Sequence, residues 1–403
     1  MKRLLHLSWL LACAACPGPS SDHATVVLHP QPTWSGTAEV LVHHADGSLV
    51  SRAPITDKLS VAIHDGDSVT IALHDGSLVE LDTRLAVAPG DEIDAPAGPL
   101  SLELGSASVT LPEVAGATGW IVTTPQSAAE TTALDQVDVQ FPAGRSSIPV
   151  LGAAADATDT LALYGERSVP VAGSAPTIAL TDALAWQPLT VTTTGIAEVV
   201  AGDVFVGSDD LAVYAPGLTT GDLPIPTSFG DQVGVVAEAE ASDSISSAGV
   251  MLASRTTTTV TLDLTTPDLP TASALAVTSS GASWQLTGGG SYAALAVSLS
   301  SSTSTSTPAW GFVAPPGTTS LALPQLPADL AAGPFDSLTV AIAARSDIAD
   351  YHDALAAFGP PADGTTWQER EVVSQPASAR LRPGALVPSA ALARRLSTPD
   401  ERW

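Results

Sequence analysis

Residues 59–73 read Leu-Ser-Val-Ala-Ile-His-Asp-Gly-Asp-Ser-Val-Thr-Ile-Ala-Leu. Every second residue is large and apolar from Leu59 to Ile63 and again from Val69 to Leu73. Because successive side chains of a strand point to opposite faces, each run predicts a strand that buries one face. The Asp65-Gly66 step between the runs supplies the positive φ that a tight hairpin requires. This stretch therefore predicts a β-hairpin with one buried face.

The same turn chemistry recurs on both sides of this hairpin. Asp-Gly steps also stand at Asp46-Gly47 and Asp75-Gly76, between further apolar runs. Such a succession predicts a meander of hairpins, so residues 26–96 are interpreted as one β-sandwich.

The order of turns and core positions in this region resembles a known class of sandwich. The residues that carry the likeness are 40–42, 46–50, 66–71 and 87–91. They are similar to the transthyretin-like, or carboxypeptidase-regulatory-like, modules of bacterial surface proteins. The resemblance covers about a sixth of the chain and implies a fold rather than an activity.

The following part of the chain repeats itself with an offset of 84 residues. This offset places 151–159 on 235–243, Gly165 on Gly249, and 177–181 on 261–265. Residues 338–347 form a weaker third copy. A unit of about 80–100 residues has the size of an immunoglobulin-like or fibronectin-like sandwich. We therefore predict further β-sandwich modules at 97–186, 187–268 and 269–378.

The predicted fold class is all-β, a tandem array of β-sandwich (immunoglobulin-like and transthyretin-like) modules with little helix. We expect each module to have its own core, joined by short connections rather than by one continuous sheet. A single helical pattern, Ile348 to Phe358, lies between Asp347 as N-cap and Gly359 as C-cap. We expect the tryptophans to fill module cores rather than to form a carbohydrate platform.

The first sixteen residues predict export. Lys2 and Arg3 precede an apolar run, residues 4–15, that is too short to span a bilayer as a helix. The run ends in small residues and Cys16, and so resembles a bacterial lipoprotein signal. The resemblance implies lipid attachment at Cys16, with Cys13 as the alternative, and plain secretion as the other reading.

The lipoprotein resemblance also implies a location. Neither Pro17 nor Ala14, the residues after the two cysteines, is the aspartate that holds such proteins in the inner membrane. We therefore expect an outer-membrane lipoprotein of the cell envelope. Residues 17–25 are interpreted as a tether, and residues 379–403 as a basic C-terminal tail.

The charge and cysteine content exclude several partners and sites. With 15 Lys and Arg against 42 Asp and Glu, the formal net charge is −27, so we expect no nucleic-acid partner. Both cysteines lie in the signal region, which leaves no thiol for a disulfide or a metal site in the folded part.

The sequence predicts no catalytic residue, no cofactor and no metal site. It contains no Gly-x-Ser-x-Gly elbow, His-Glu-x-x-His pair, Walker loop or dinucleotide fingerprint. His43 and His44 should point to opposite faces of a strand, and His64 and His74 should lie at opposite ends of another, which argues against a shared zinc site. Five acids near turns leave calcium as an alternative, namely Asp65, Asp67, Asp91, Glu92 and Asp94.

These observations favour a lipid-anchored envelope protein that acts as a non-catalytic spacer or as a binding or adhesion module. Its partners would be the membrane, through the lipid, and a protein or glycan that the sequence does not identify. The alternatives are an exported hydrolase that uses carboxylate pairs and a calcium-dependent carbohydrate- or protein-binding protein.

Overall fold

The computed structural model describes seventeen segments of the chain. They are residues 22–30, 34–76, 78–97, 104–125, 127–143, 145–156, 160–171, 176–194, 201–208, 211–215, 223–230, 232–240, 244–265, 269–301, 310–330, 333–357 and 362–374. Strand makes up 64% of the structure and helix 3%, so the all-β multi-sandwich fold with little helix is confirmed. Among these segments, no helix is long and apolar enough to cross a membrane.

The first sandwich contains seven strands: β1 (His23–Pro30), β2 (Thr37–His43), β3 (Leu49–Ile55), β4 (Lys58–Ala62), β5 (Asp67–Asp75), β6 (Leu78–Val87) and β7 (Glu92–Ala97). Strand β1 takes up residues 23–25, which the sequence analysis assigned to the tether. That assignment was wrong because Ala24 is fully buried and begins the core.

The second sandwich contains β8 (Leu104–Thr110), β9 (Gly119–Thr124), β10 (Ser127–Thr131), β11 (Gln136–Pro142), β12 (Ser147–Ala155), β13 (Thr160–Pro170), β14 (Thr177–Ala179) and β15 (Ala183–Leu184). The third contains β16 (Trp186–Thr194), β17 (Ala201–Ser208), β18 (Leu211–Ala215), β19 (Leu223–Pro226), β20 (Gln232–Glu240), β21 (Ser244–Met251) and β22 (Thr259–Asp263).

The fourth sandwich contains β23 (Thr271–Thr278), β24 (Gly281–Thr287), β25 (Ala294–Ser300), β26 (Trp310–Ala314), β27 (Ser320–Ala322), a 3-10 helix (Ala328–Leu330), β28 (Ser337–Arg345), helix α1 (Tyr351–Leu355) and β29 (Thr366–Val373). The predicted module boundaries stay predictions, since the structure gives groups of strands and not independently folding units.

The first three sandwiches share one connectivity. In each, the first strand lies at the centre of a three-stranded sheet, flanked by an antiparallel strand and by a parallel strand from the end of the sandwich. The orders are β4-β1-β7, β11-β8-β14 and β19-β16-β22. The facing strands follow the orders β3-β2-β5-β6, β10-β9-β12-β13 and β18-β17-β20-β21.

The repeat of 84 residues follows this shared connectivity. It places β12 on β20, β13 on β21 and β14 on β22, the last three major strands of the second and third sandwiches. The third copy fits as well, because it begins in β28, which pairs with β25 and β29 as β20 pairs with β17 and β21, and the order β26-β25-β28-β29 repeats that of the other sandwiches. The fourth sandwich differs only in its other sheet, which is ordered β23-β24-β27.

One twelve-stranded sheet runs through three sandwiches, in the order β18-β17-β20-β21-β29-β28-β25-β26-β6-β5-β2-β3. Strand β29 pairs antiparallel with β21 of the third sandwich, and β26 pairs parallel with β6 of the first. The expectation that no continuous sheet joins the modules was therefore wrong. Edge strands expose unpaired backbone groups, and pairing them with a neighbour satisfies those groups.

The first and fourth sandwiches cover opposite faces of their common sheet. Val40, Ile71 and the alanines at 294 and 296 pack under β4-β1-β7. Their strand neighbours Leu41 and Ala72, together with Leu295 and Trp310, pack under β23-β24-β27. Strands β5, β25 and β28 are consequently buried on both faces over most of their length.

Helix α1 ties these two sandwiches together. Tyr351 is buried, and its hydroxyl donates to the carbonyl oxygens of Leu85 (2.5 Å) and Val313 (2.9 Å), which belong to the two sandwiches. The N-cap is Asp350, whose carboxylate accepts the Asp353 N–H at 3.0 Å. The predicted N-cap Asp347 pairs instead with Arg345, and the predicted C-cap Gly359 lies outside the described residues.

Candidate functional site: a histidine–aspartate cluster in the first sandwich

Two turns meet at one end of the first sandwich. In the turn after β2, Gly47 N–H donates to the His44 carbonyl (2.8 Å), and Gly47 adopts a φ of 84°. In the turn before β5, Asp67 N–H donates to the His64 carbonyl (3.0 Å). Because His43 pairs with Ser68 in the β2–β5 ladder, His44 lies opposite Asp67. The register of two strands thus brings three chemically active side chains together.

The cluster consists of His44, His64 and Asp67. Nδ1 of His44 lies 3.3 Å from Oδ1 of Asp67, and Nδ1 of His64 lies 3.5 Å from Oδ2. One ligand atom from each residue can be chosen so that all lie within 4.8 Å of one another. Among the described residues, this is the one group of three or more His, Cys, Asp or Glu with such spacing.

The carboxylate is fixed and the imidazoles are accessible. The Asp67 side chain is 4% exposed, and its Oδ2 accepts the backbone N–H of His64 at 2.8 Å. The side chains of His44 and His64 are 50% and 81% exposed. A molecule or ion that approaches from solvent can therefore reach both rings while the carboxylate stays in place.

The other histidines of the region lie apart from this cluster. His74 stands at the far end of β5 from His64, as the sequence predicts, and its Nε2 lies 3.0 Å from Oε1 of Glu39. His29 pairs with Asp94 at 2.7 Å. The prediction that His43 and His44 point to opposite faces of the strand is confirmed, since His43 is fully buried and His44 is exposed.

Four of the five acids proposed as calcium ligands have separate partners. Asp67 belongs to the histidine cluster, and Asp94 pairs with His29. Asp91 accepts the Ala88 N–H at 2.8 Å and lies 2.9 Å from His352, while Glu92 pairs with Lys58 at 3.3 Å. This distribution differs from a calcium loop, in which successive carboxylates converge on one ion.

An ion-pair network on β3 joins the first and fourth sandwiches. Arg52 donates to the carboxylates of both Glu39 and Asp329, which lies in the 3-10 helix. Although burial alone would raise it, the hydrogen bonds from Arg52 and His74 hold the pKa of Glu39 below its usual value. The hydrogen bond from Arg52 likewise lowers the pKa of Asp329. No sequence pattern could relate these residues, because Arg52 and Asp329 are 277 positions apart.

The large aromatic side chains fill cores rather than a surface platform. Four tryptophans are 2–3% exposed, namely Trp120, Trp284, Trp310 and Trp367. This confirms the sequence-based expectation for the second and fourth sandwiches. The predicted lipid-attachment residues, Cys16 and the alternative Cys13, lie outside the described residues.

Burial of His43 predicts a pH-dependent stability. Desolvation lowers its pKa from 6.5 to about 4, and neither ring nitrogen has a hydrogen-bond partner among the described residues. Below pH 6.5, His43 is protonated in the unfolded chain but stays neutral in the folded chain until the pH approaches 4. The folded state therefore loses stability as the pH falls from 6.5 towards 4. Between pH 7 and pH 4.5 the contribution is about 2 kcal/mol.

Urea unfolding at these two pH values, in the presence of a chelator, measures this effect. We expect His43→Leu to lose about 2 kcal/mol less than the wild type over the same pH interval. An equal loss in both proteins would assign the acid sensitivity to other groups.

Comparisons with known proteins identify no family. No family model matches the chain, and no curated protein matches it. Among solved structures, a candidate adhesin from Bacteroides ovatus matches with 8% identity and a TM-score of 0.16, over 42% of this chain and 88% of that one. A leucine-rich repeat protein from Bacteroides thetaiotaomicron matches with 13% identity and a TM-score of 0.14, and the TIE protein of Bacillus anthracis with 8% and 0.17. The alignments cover 40% and 60% of this chain, and 25% and 49% of those two proteins.

Proposed function

We propose that this protein is a lipid-anchored component of the cell envelope, in the outer membrane, which acts as a non-catalytic spacer or binding module. The observation that carries the proposal is the twelve-stranded sheet that joins three sandwiches into one body. A continuous sheet keeps the joined sandwiches in one fixed arrangement. A spacer or an adhesive module requires such a rigid body.

The distance between the body and the proposed anchor is short. Strand β1 begins at His23, so residues 17–22 separate it from Cys16. At roughly 3.3 Å per residue, this segment reaches about 20 Å. The first sandwich would therefore lie close to the membrane, and the second to fourth sandwiches would extend from it.

The first sandwich is, in this proposal, a transthyretin-like module. Seven strands in two facing sheets support the assignment, as do the Asp-Gly turns at Gly47, Gly66 and Gly76, all of which have positive φ. The second and third sandwiches share its connectivity, which suggests that the three arose from one type of unit.

The state of the carboxyl groups supports a binding role over the hydrolase alternative. A glycosidase of the common type needs one carboxyl group with a raised pKa to protonate the leaving group. Five described carboxyl groups have lowered pKa values, which does not suit that task, and they are Glu39, Asp46, Asp263, Asp329 and Asp347. The proposed partner is a protein or glycan, since a net charge of −27 disfavours nucleic acid.

Replacement of the proposed lipidated cysteine tests the anchor. We expect Cys16→Ser to move the protein from the membrane fraction to the soluble fraction, because the acyl chains supply the membrane affinity. Cys13→Ser is the matched control and should remain with membranes. Release by Cys13→Ser alone would assign the lipid to Cys13, and a soluble wild-type protein would favour plain secretion.

A substrate screen tests the non-catalytic role. The purified full chain should show no turnover of glycoside, ester or peptide substrates above buffer. Turnover that a single Asp→Asn or Glu→Gln substitution abolishes would overturn the proposal in favour of a hydrolase.

A further inference from the structure

The histidine–aspartate cluster has the dimensions of a metal site. A tetrahedral ion with bonds of about 2.0–2.1 Å holds its ligand atoms about 3.3 Å apart. In the cluster, Nδ1 of His44 lies 3.3 Å from Oδ1 of Asp67 and Nδ1 of His64 lies 3.5 Å from Oδ2, and one ligand atom from each residue can be chosen so that all lie within 4.8 Å of one another. We propose that His44, His64 and Asp67 bind one divalent transition-metal ion of the zinc class, with the remaining coordination position open to solvent.

Direct hydrogen bonding explains the cluster less well. Hydrogen bonds between nitrogen and oxygen span about 2.7–3.2 Å. The contact of His44 with Asp67 is a long hydrogen bond of 3.3 Å, and the 3.5 Å separation between Nδ1 of His64 and Oδ2 of Asp67 exceeds that range. Two imidazoles also face a single carboxylate, so two protonated rings would repel each other at 5.9 Å between centroids. One divalent ion satisfies both Nδ1 lone pairs and the carboxylate at the same time.

The type of donor atom selects the class of metal. Two imidazole nitrogens and one carboxylate oxygen suit zinc and its neighbours among the first-row transition metals. Calcium and magnesium prefer shells of oxygen atoms, which this cluster does not provide. Three protein ligands with an open position also match the general composition of exchangeable or catalytic sites rather than of closed structural ones.

The surrounding structure holds the ligands in place before the ion arrives. Asp67 is buried, and its Oδ2 is oriented by the backbone N–H of His64. A carboxylate oxygen can accept that hydrogen bond and still bind an ion, since it has two lone pairs. The exposed rings can keep Nε2–H hydrated while Nδ1 binds the metal, which fixes the neutral tautomer that coordination needs.

A bound ion would strengthen the connection between two turns that strand pairing already brings together. His44 lies at the β2–β3 turn and His64 at the β4–β5 turn. The ion would thus crosslink these two turns, and a side chain of a partner could take the open coordination position.

Isothermal titration with ZnCl₂ tests the proposal directly. The full chain carries Cys13→Ser and Cys16→Ser, so that no thiol competes for the metal, and is solubilised in detergent and stripped with a chelator. We expect one ion per chain. His64→Ala should weaken binding at least about tenfold because it removes one of three protein ligands.

Two further variants separate metal binding from damage to the fold. Asp67→Asn keeps an oxygen that can accept the His64 N–H, and should also weaken zinc binding by at least about tenfold through loss of the charge. His29→Ala is the matched control, since His29 also faces a carboxylate, at 2.7 Å, but without a second imidazole. It should bind zinc like the parent chain.

Three results would overturn the proposal. They are the absence of heat with ZnCl₂ up to millimolar concentration, unchanged affinity in both His64→Ala and Asp67→Asn, and an equal loss in His29→Ala. In proton spectra of the parent chain, zinc should shift the imidazole signals of His44 and His64 and leave that of His29 in place. A shift confined to other histidines would contradict the assignment.

Discussion

Replacing Trp310 with alanine should lower the free energy of unfolding by about 3–5 kcal/mol, the usual cost of truncating a buried tryptophan. Trp310 is 2% exposed and stacks on Phe312, with ring centroids 5.1 Å apart. Its Nε1–H donates to Oγ1 of Thr83 at 2.8 Å, and Thr83 pairs in turn with Thr70. The side chain therefore holds the fourth sandwich to the first, and its loss should weaken both.

Amide exchange measured together with urea unfolding locates this damage. In Trp310→Ala, we expect residues 78–87 of β6 to lose protection along with β26. Trp284→Ala is the matched control, because Trp284 is also buried, at 3%, but lies on β24, within the outer sheet of the fourth sandwich. Loss of protection in β6 to the same extent in both variants would show that Trp310 has no special role between the sandwiches.

Introducing valine at Gly249 should destabilise the protein by about 3 kcal/mol or more, through overpacking of the junction between the third and fourth sandwiches. Gly249 pairs with Trp367 across β21 and β29. A Cβ at this position would overlap the buried indole ring of Trp367. Since the ring has no free space to move into, the two strands would have to separate.

Gly311 offers a control in the same sheet. It lies in β26 at the other junction, where a Cβ would stand 3.6 Å from Oδ1 of Asp82, an ordinary contact. Gly311→Val should therefore change the unfolding midpoint in urea by little. A small effect for Gly249→Val, similar to that of Gly311→Val, would show that the junction at Trp367 repacks without cost.

The repeat in the sequence aligns Gly249 with another glycine but does not show why glycine is needed there. The offset of 84 residues aligned Gly165 with Gly249, and the structure shows why both are glycine. A Cβ on Gly165 would stand 2.9 Å from the ring of Phe229, which belongs to the next sandwich, as Trp367 does for Gly249. Each glycine makes room for an aromatic ring from the following unit, a contact that sequence similarity alone does not show.

The alternation of apolar and polar residues predicted the individual strands well, but it did not predict which elements pack against them. Residues 59–63 and 69–73 alternate as expected for one buried face, yet β5 is buried on both faces. The second cover comes from the fourth sandwich, more than 200 residues away, and no local pattern indicates it. In β25, small alanines alternate with Leu295 and Val297. The alanines face one hydrophobic core and the larger residues face the other.

The candidate site escaped sequence analysis for a related reason. Along the sequence, His64 and His74 stand at opposite ends of one strand, where the separation is large, and Asp67 is one of several acids near turns. The approach of His44 depends on the β2–β5 register, in which His43 pairs with Ser68. Register is set by the buried face and by the turns together, so a reading of each strand alone does not give it.

The parallel pairing of β26 with β6 also sets an order of events during folding. The N-terminal sandwich is synthesised first, but β6 keeps an unpaired edge until residues 310–314 have followed it. The hydrogen bond between Trp310 and Thr83 closes a loop of 227 residues, which is a contact of very high sequence separation. Such contacts slow folding and leave strand edges open to association in the meantime. The free edge of the first sandwich is therefore covered only after residues 310–314 have been synthesised.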